Sequence, residues 1–506
     1  MFNFKGIASI KTLKKLLNYL GYPFIALTAF VYFYTMQFAS QFMMGEDSYY
    51  HIKFAYLSRV NGIMHSFPWA QFSLWKDHFY DKEFLYHLML QPFTFGDLSY
   101  GGKIAAVLFG TALFVTLYHV MRANKFKFPL FWSLMGLCTS SYFLYRINIT
   151  RPQTISILMS LIVVHLQMNK KYKSIIIATA IYTLAHTGAY ISVFYALVIM
   201  GTEFWRDRTF NWKVPVYTLL GFAIGMLVHP NFPNNITGWH IQNINVVLVA
   251  WTGAKNELGI AGELRPINTR DFLYSFMPVL IPYFLITWTM FTKKVKCSLK
   301  TMSLFAISSA YLFAFMNSLR FNEMWTPFSL FFFASYCTDT WEEFDLKEFV
   351  KQNRILAVAV TLVVVAFYAE TGRESYNSLY RDFFFNSNKP LNEDAAWVKY
   401  NLEDGAQVYT CDWDDAPYLF FGNDKVKYLV FLDPHFMYDW DRDIWNIWYR
   451  TSNGLMTDPY TSIKYVFKAK YVYCTSDFKA VINQMHTSPN FKLLRETRDS
   501  VIFEVL

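Results

Sequence analysis

Charge is what this sequence has least of. Only 16% of its 506 residues are Asp, Glu, Lys or Arg, against about a quarter in a soluble domain. Cysteine is scarce too. Cys138, Cys297, Cys337, Cys411 and Cys474 make no metal-binding spacing, and five thiols in so long a chain exclude a disulfide-rich miniprotein. Glycine and proline number 21 and 17, too few for a collagen-like chain, and there is no short-period repeat or low-complexity tract. Apolar residues are abundant instead. The chain is 54% hydrophobic and 20% aromatic, its mean hydropathy is +0.19, and apolar runs of roughly 17–25 residues recur along it. An ordinary soluble enzyme and a disordered chain are both excluded. The net charge of +9 does not point to nucleic acid, because Lys and Arg lie mostly in short loops between apolar runs, as membrane topology demands.

The basic clusters trace a path. Lys5, Lys11, Lys14 and Lys15 precede an apolar run from about Gly21 to Phe42 that has no small-residue cleavage site. It reads as a signal anchor whose start, residues 1–21, stays cytoplasmic. Further clusters lie at Arg122/Lys125/Lys127, Lys170/Lys171/Lys173, Arg206/Arg208/Lys213, Lys293/Lys294/Lys296/Lys300 and Lys347/Lys351/Arg354. If each is cytoplasmic, an even number of crossings separates neighbours. Apolar segments near 22–42, 103–121, 129–145, 153–168, 174–185, 188–204, 214–229, 272–292, 301–317, 322–338 and 355–370 satisfy this. They predict an α-helical polytopic membrane protein with about eleven crossings. The stretch 174–204 must then hold two short helices that turn near Ala185-His186-Thr187-Gly188. The transmembrane part spans 22–370, with outer loops at 45–102 and 229–270. Residues 371–506, with strand-like runs at Gln407–Thr410, Tyr428–Phe431 and Tyr471–Tyr473, read as an outer α/β domain.

Costly ionisable residues gather on the outer side, and an ionisable group at a membrane edge is functional by default. Asp47 opens the first outer loop with His51 four residues on, on the same helical face. It suits a general base or a metal ligand, and equally a helix N-cap ahead of Tyr49–Val60. Asp77, His78, Asp81, Glu83 and His87 form a second group, with Asp77/Asp81 and Glu83/His87 each expected on one helical face. These acids can bind a divalent cation such as Mg or Mn, or simply face water. Arg146 and Arg151 bracket an outer turn, and Arg320 opens Arg320-Phe321-Asn322-Glu323. Guanidinium suits the phosphate of a lipid-linked donor, while a single arginine would equally serve as a headgroup anchor. His229-Pro230 reads as a helix stop and His186 as a turn residue. Glu257 and Glu263 lie in the long 229–270 loop, and Glu263 joins Asp77, Asp81 and Glu83 as a candidate metal ligand.

An amino-terminal anchor, an acidic first outer loop, many crossings and an outer α/β domain together resemble the C-type glycosyltransferase superfamily, whose members use polyprenyl-phosphate-linked sugars. The nearest branch is similar to the oligosaccharyltransferase catalytic subunit. Glu46-Asp47-Ser48-Tyr49-Tyr50-His51 is similar to that branch's first-loop motif, and Arg320-Phe321 before a helix with Pro327 also looks like it. Cys411-Asp412-Trp413-Asp414-Asp415-Ala416 occupies the place of the branch's Trp-Trp-Asp-Tyr-Gly acceptor motif. Trp413 and Asp414 match its second and third positions, while Asp412, Asp415 and Ala416 replace the others. The branch's acidic pair in an outer turn is absent, since Arg146–Gln153 stands there without an acid.

The resemblance implies a glycosyltransferase that inverts the anomeric carbon in one displacement. Asp47 and His51 would be catalytic, Arg146, Arg151 and Arg320 would hold the donor phosphate, and Trp413, Asp414 and Asp415 would bind the acceptor. The implied partners are a polyprenyl-linked donor, membrane lipids and an extracytoplasmic protein, lipid or glycan, with no nucleic acid. The implied location is a bacterial inner membrane, amino terminus cytoplasmic and carboxy-terminal domain periplasmic. A divalent cation is one option there and metal-free chemistry the other. In an oxidising compartment Cys411 and Cys474 would either pair or stay buried and free. Two other classes fit the composition. A lipid-linked glycan transporter would want midplane charges, of which His165 is the main candidate, and repeats. A catalytically silent scaffold would assemble an envelope complex through its outer domain.

Overall fold

The computed structural model describes residues 10–245, 248, 262–292, 295–341, 352–386 and 391–506. Lys5, Glu257, Lys293, Lys294, Lys347 and Lys351 of the sequence reading lie outside them.

The fold is a helical body with one small sheet. From the amino terminus come α1 (Ile10–Gln37), α2 (Glu46–Asn61), α3 (Phe84–Leu90), α4 (Leu98–Ala123), α5 (Pro129–Gly136), α6 (Ser141–Asn148), α7 (Gln153–Met168), α8 (Tyr172–Ala185), α9 (Ile191–Asp207), α10 (Lys213–Leu227) and α11 (Asn234–His240). Helices at Thr269–Ser275, Met277–Thr292, Leu299–Asn317, Asn322–Trp341 and Arg354–Asn386 follow.

Among the described residues, four helices are long and apolar enough to cross a membrane: Leu98–Ala123, Thr187–Asp207, Leu299–Asn317 and Arg354–Arg381. The number rises to six if two bent pairs are each one span: Ser141–Asn148 with Gln153–Met168, bent by 104°, and Thr269–Ser275 with Met277–Thr292, bent by 81°. Tyr172–Ala185 and Lys213–Leu227 are apolar but shorter. The turn expected inside 174–204 is present: α8 ends at Ala185, and a 3-10 turn at Thr187–Tyr190 leads into α9. Helices α8 and α10 lie backbone to backbone, because Gly221 and Gly225 face α8. A Cβ on Gly221 would stand 2.5 Å from the Ile176 carbonyl oxygen, so small residues permit the contact.

The sheet has the order β1-β2-β4-β3, from β1 (Val408–Thr410), β2 (Tyr471–Thr475), β3 (Phe491–Glu496) and β4 (Ser500–Val505). β1 and β2 are parallel, and the other pairs are antiparallel. The runs at Gln407–Thr410 and Tyr471–Tyr473 thus supply strands. Tyr428–Phe431 does not; its backbone bridges to Ala70, in the segment between α2 and α3, instead. A disulfide joins Cys411 to Cys474, the residues following β1 and within β2.

The sheet region does not bury its apolar residues alone. One core takes in Tyr50, Phe54, Phe67 and Trp75 from the first outer loop together with Phe420, Phe431, Phe436 and Val472. The Trp75 and Phe436 rings lie 4.6 Å apart, and Lys53 pairs with Asp424 at 3.2 Å. This shared core holds the start of α2 against the carboxy-terminal part. A second core, from Ile25 through Trp325 to Leu379, fills the helical body.

Candidate active site

The site begins with Gly45. Its φ of +70° caps α2, and a Cβ there would meet Ile149 Cδ1 at 3.2 Å, so glycine alone fits without strain. The helix therefore starts at Glu46, and Asp47 lies in its first turn rather than at the expected N-cap position. Asp47 and His51, one helical turn apart, line a cavity of about 300 Å³ whose wall also contains Glu83, Arg151, Glu263, Arg320 and Trp413. Seven residues singled out in the sequence thus converge from α2, two outer loops, two turns and the carboxy-terminal part.

Three arginines and three carboxylates interlock behind this wall. Arg151 Nη1 lies 3.4 Å from Asp47 Oδ2 and 3.3 Å from Glu263 Oε2. Arg146, in α6, pairs with both Glu263 and Glu323. Arg320 Nη1 reaches Glu263 Oε1 at 3.5 Å. Gln153 orients Arg151 by accepting from its Nε at 2.5 Å. The turn carrying Glu263 is latched to the turn carrying Arg320: Ser318 Oγ donates to the Glu263 carbonyl at 3.1 Å and Leu319 N to the Arg265 carbonyl at 2.9 Å. Burial alone would raise the Glu263 carboxyl, but the guanidinia of Arg146, Arg151 and Arg320 overcome it and hold it well below the usual carboxylate range. A second cavity, of about 620 Å³, is lined by Arg146, Tyr142, Tyr145 and Asp271 and shares Glu263 and Arg320 with the first.

A chain of buried side chains runs from His51 the other way. His51 Nδ1 and His87 Nε2 are 2.8 Å apart, and His87 Nδ1 lies 2.7 Å from Asp81 Oδ1. The Asp81 carboxylate accepts from His87 Nδ1–H. In the tautomer in which His87 Nε2 accepts from His51 Nδ1–H, His51 Nε2 carries a lone pair. Burial and the neighbouring His87 push His51 well below the usual histidine value, which keeps it neutral. Burial raises the Glu83 carboxyl.

Other predicted residues stand apart. Asp77 is exposed beyond the Leu74–Lys76 turn, and residues 77–83 form no helix, so Asp77 and Asp81 share no helical face. Asp81 borders a separate cavity with His87 and Asn231. Asp414 is half-buried and outside the first cavity's wall; desolvation, then Glu46 and Asp412, drive its carboxyl well up. Asp415 starts the helix Ala416–Gly422. Among the described residues, no three or more His, Cys, Asp and Glu are grouped to hold a metal ion. Of the four candidate ligands, Glu83 and Glu263 share the first cavity, while Asp81 lies at another and Asp77 is exposed; in the first cavity Arg151 pairs with Asp47 and Glu263. As paired here, the described residues are not grouped to hold a divalent cation.

Sequence reasoning missed Gln153, Glu323, Tyr182, Tyr311 and His435, and it read His186 as a turn residue. His186 is one, since its Nδ1 accepts from Gly188 N at 2.9 Å, but it also lines the cavity. Glu323 was within reach, because it follows Arg320 in the stretch already singled out. Nothing local marks His435; the shared outer core brings it in.

No protein-family model and no curated protein matches the chain. Its fold is that of C-type glycosyltransferases. Over 90% of this chain and 70% of the other, it superposes on the apo oligosaccharyltransferase of Archaeoglobus fulgidus with a TM-score of 0.64 at 10% identity. A structure of ArnT from Cupriavidus metallidurans bound to undecaprenyl phosphate gives 0.56 at 10% identity, over 95% of this chain and 97% of that one. The mycobacterial arabinofuranosyltransferase AftD gives 0.52 at 10% identity, over 95% of this chain and 40% of that one.

Proposed function

We propose that this protein is a membrane glycosyltransferase that moves a sugar or oligosaccharide from a polyprenyl-phosphate or -diphosphate donor to an extracytoplasmic protein, lipid or glycan. The observation that carries this reading is one cavity holding the Asp47 carboxylate opposite Arg151 and Arg320. The fold supports it, since similar structures contain dolichol phosphate or undecaprenyl phosphate.

The chemistry is a single in-line displacement. Asp47 takes the proton from the acceptor's nucleophilic O–H or N–H, with His51 Nε2 beside it as an alternative acceptor. The nucleophile bonds to the anomeric carbon while the bond from that carbon to the phosphate oxygen breaks, which inverts the centre. The electron pair leaves on the phosphate, and Arg320, with Arg151 and Arg146, neutralises it. His87 and Asp81 set the tautomer of His51. Trp413, on the cavity wall, stacks on a sugar or acceptor, with Asp414 and Asp415 shaping the segment behind it. The finer topology proposed with this function is about eleven crossings in a bacterial inner membrane, amino terminus cytoplasmic and the Cys411–Cys474 bridge in the oxidising periplasm.

Glycan profiling of envelopes from cells with and without the gene tests the reading. Deletion is expected to remove a product that the wild-type gene restores and Asp47→Ala does not. Full restoration by Asp47→Ala with normal protein levels would overturn it.

A further inference from the structure

Glu263 pairs with Arg146, Arg151 and Arg320, and it lines both the first and the second cavity. We propose that its carboxylate is a built-in stand-in for the donor phosphate, holding the three arginines until the phosphate displaces it. The idea rests on the lipid-phosphate reading of the site and adds the event that opens it.

Charge is the first argument. Arg146, Arg151 and Arg320 face Asp47, Glu263 and Glu323, so the cluster is neutral as it stands. A phosphate added without losing an acid would leave excess negative charge in a largely buried place, which is costly. With Glu263 withdrawn, three guanidinia face two carboxylates, and an anion is needed. Glu263 remains ionised at any physiological pH, so it is a true anionic competitor.

Contact quality is the second. Arg146 pairs closely with Glu263, but Arg151 and Arg320 reach it only at 3.3 and 3.5 Å, longer than the roughly 2.7–2.9 Å of a good charge-assisted bond. Two carboxylate oxygens serve three guanidinia drawn from α6, the turn before α7 and the Leu319–Phe321 turn. A phosphate offers three oxygens to the same three groups. Among the described residues, Arg146 Nη2 is buried without a hydrogen-bond partner, a donor left over for such an oxygen.

Position is the third. The cavity with Asp47 and His51 and the larger one with Arg146 and Tyr145 share Glu263 and Arg320. The Glu263 backbone is latched through Ser318, so rotation of the side chain alone suffices. That rotation removes the anion from the shared lining and lets a donor held in the larger cavity present its anomeric carbon to Asp47.

The test uses the full chain in detergent or nanodiscs and titrates undecaprenyl phosphate, undecaprenol and inorganic diphosphate into wild type, Glu263→Gln and Glu263→Asp, with and without magnesium. Removing a competitor raises apparent affinity by the reciprocal of the competent fraction. Glu263→Gln is therefore expected to bind undecaprenyl phosphate about tenfold more tightly, and Glu263→Asp, with its shorter reach, by an intermediate factor. A parallel gain for inorganic diphosphate assigns the effect to the phosphate; a gain for the lipid alone assigns it to the headgroup in its membrane setting. Either supports the exchange. Unchanged or weaker binding by both folded variants would overturn it, as would magnesium-dependent binding that Glu263→Gln abolishes, which would make Glu263 a metal ligand. If wild type binds undecaprenol as well as undecaprenyl phosphate, the phosphate reading itself fails, an outcome separate from the first two.

Discussion

Two side chains in the cavity have roles that substitution separates. Asp47 is the proton acceptor of the proposed displacement, and Asp47→Asn keeps its size while removing its charge. Transfer should fall by at least about a hundredfold in a reconstituted assay with undecaprenyl-linked sugar, while binding of undecaprenyl phosphate holds or tightens, because Arg151 is released from its pair. Arg320 works on the other reactant. A hydrogen bond to a charged group contributes about 1.5–3 kcal/mol, so Arg320→Gln should weaken undecaprenyl phosphate binding by roughly 10–100-fold. His51 adds a pH signature. Its folded value lies well below the ordinary 6.5, so below that pH the unfolded chain takes up a proton that the folded chain refuses. Stability is then expected to fall with acidification, by up to about 1.4 kcal/mol per pH unit. Melting curves between pH 7.5 and 5.5 should show the fall in wild type and a flatter course in His51→Gln. Glu83, shifted upward, acts in the opposite sense from pH 4.5 up through its raised folded value, and the comparison with His51→Gln, which keeps Glu83, separates the two contributions.

At the scale of elements, the start of α2 is the critical joint. The glycine at 45 uses a left-handed backbone conformation and abuts Ile149, at the turn between α6 and α7. An L-residue there pays about 1–2 kcal/mol for its backbone in addition to pushing Ile149. Gly45→Ala should lower the melting temperature, and it should also reduce transfer more than stability alone explains, since the same turn carries Arg151. The steep bend between α6 and α7 brings Arg146 and Arg151 to one carboxylate oxygen, Glu263 Oε2. A continuous helix there would set them on faces that do not both meet Glu263.

The molecule as a whole is tied together by the core shared between the first outer loop and the carboxy-terminal part. The Cys411–Cys474 bridge closes a 63-residue separation within that part, and a loop of that size corresponds to about 4 kcal/mol in the chain-entropy account. Replacing both cysteines with serine should make residues beyond the last long helix sensitive to protease at temperatures where wild type resists. Because the loop bearing Asp47 packs on the same core, cavity-dependent binding should decline over the same temperature range.

Local pattern in the sequence settled a good deal. Scarce charge and recurring apolar runs point to a membrane chain, and expecting Asp47, Arg151, Glu263 and Arg320 away from the basic clusters singled out four residues that the fold brings to one cavity. The break at His186 was legible because Gly188 and a polar pair interrupt an apolar run. Asp77 and Asp81 were misplaced because an i,i+4 spacing implies a shared face only if the segment is helical, and residues 77–83 are not. Who neutralises whom was beyond any local signal. Arg151 meets an acid in α2 and another past α11, and His435 joins the wall only because aromatic burial draws two distant segments into one core. Helical periodicity and membrane hydropathy act over neighbouring residues, so they are written in the sequence. Charge pairing in a buried cavity depends on which distant elements the packing brings within a few ångströms, and only the tertiary structure decides that.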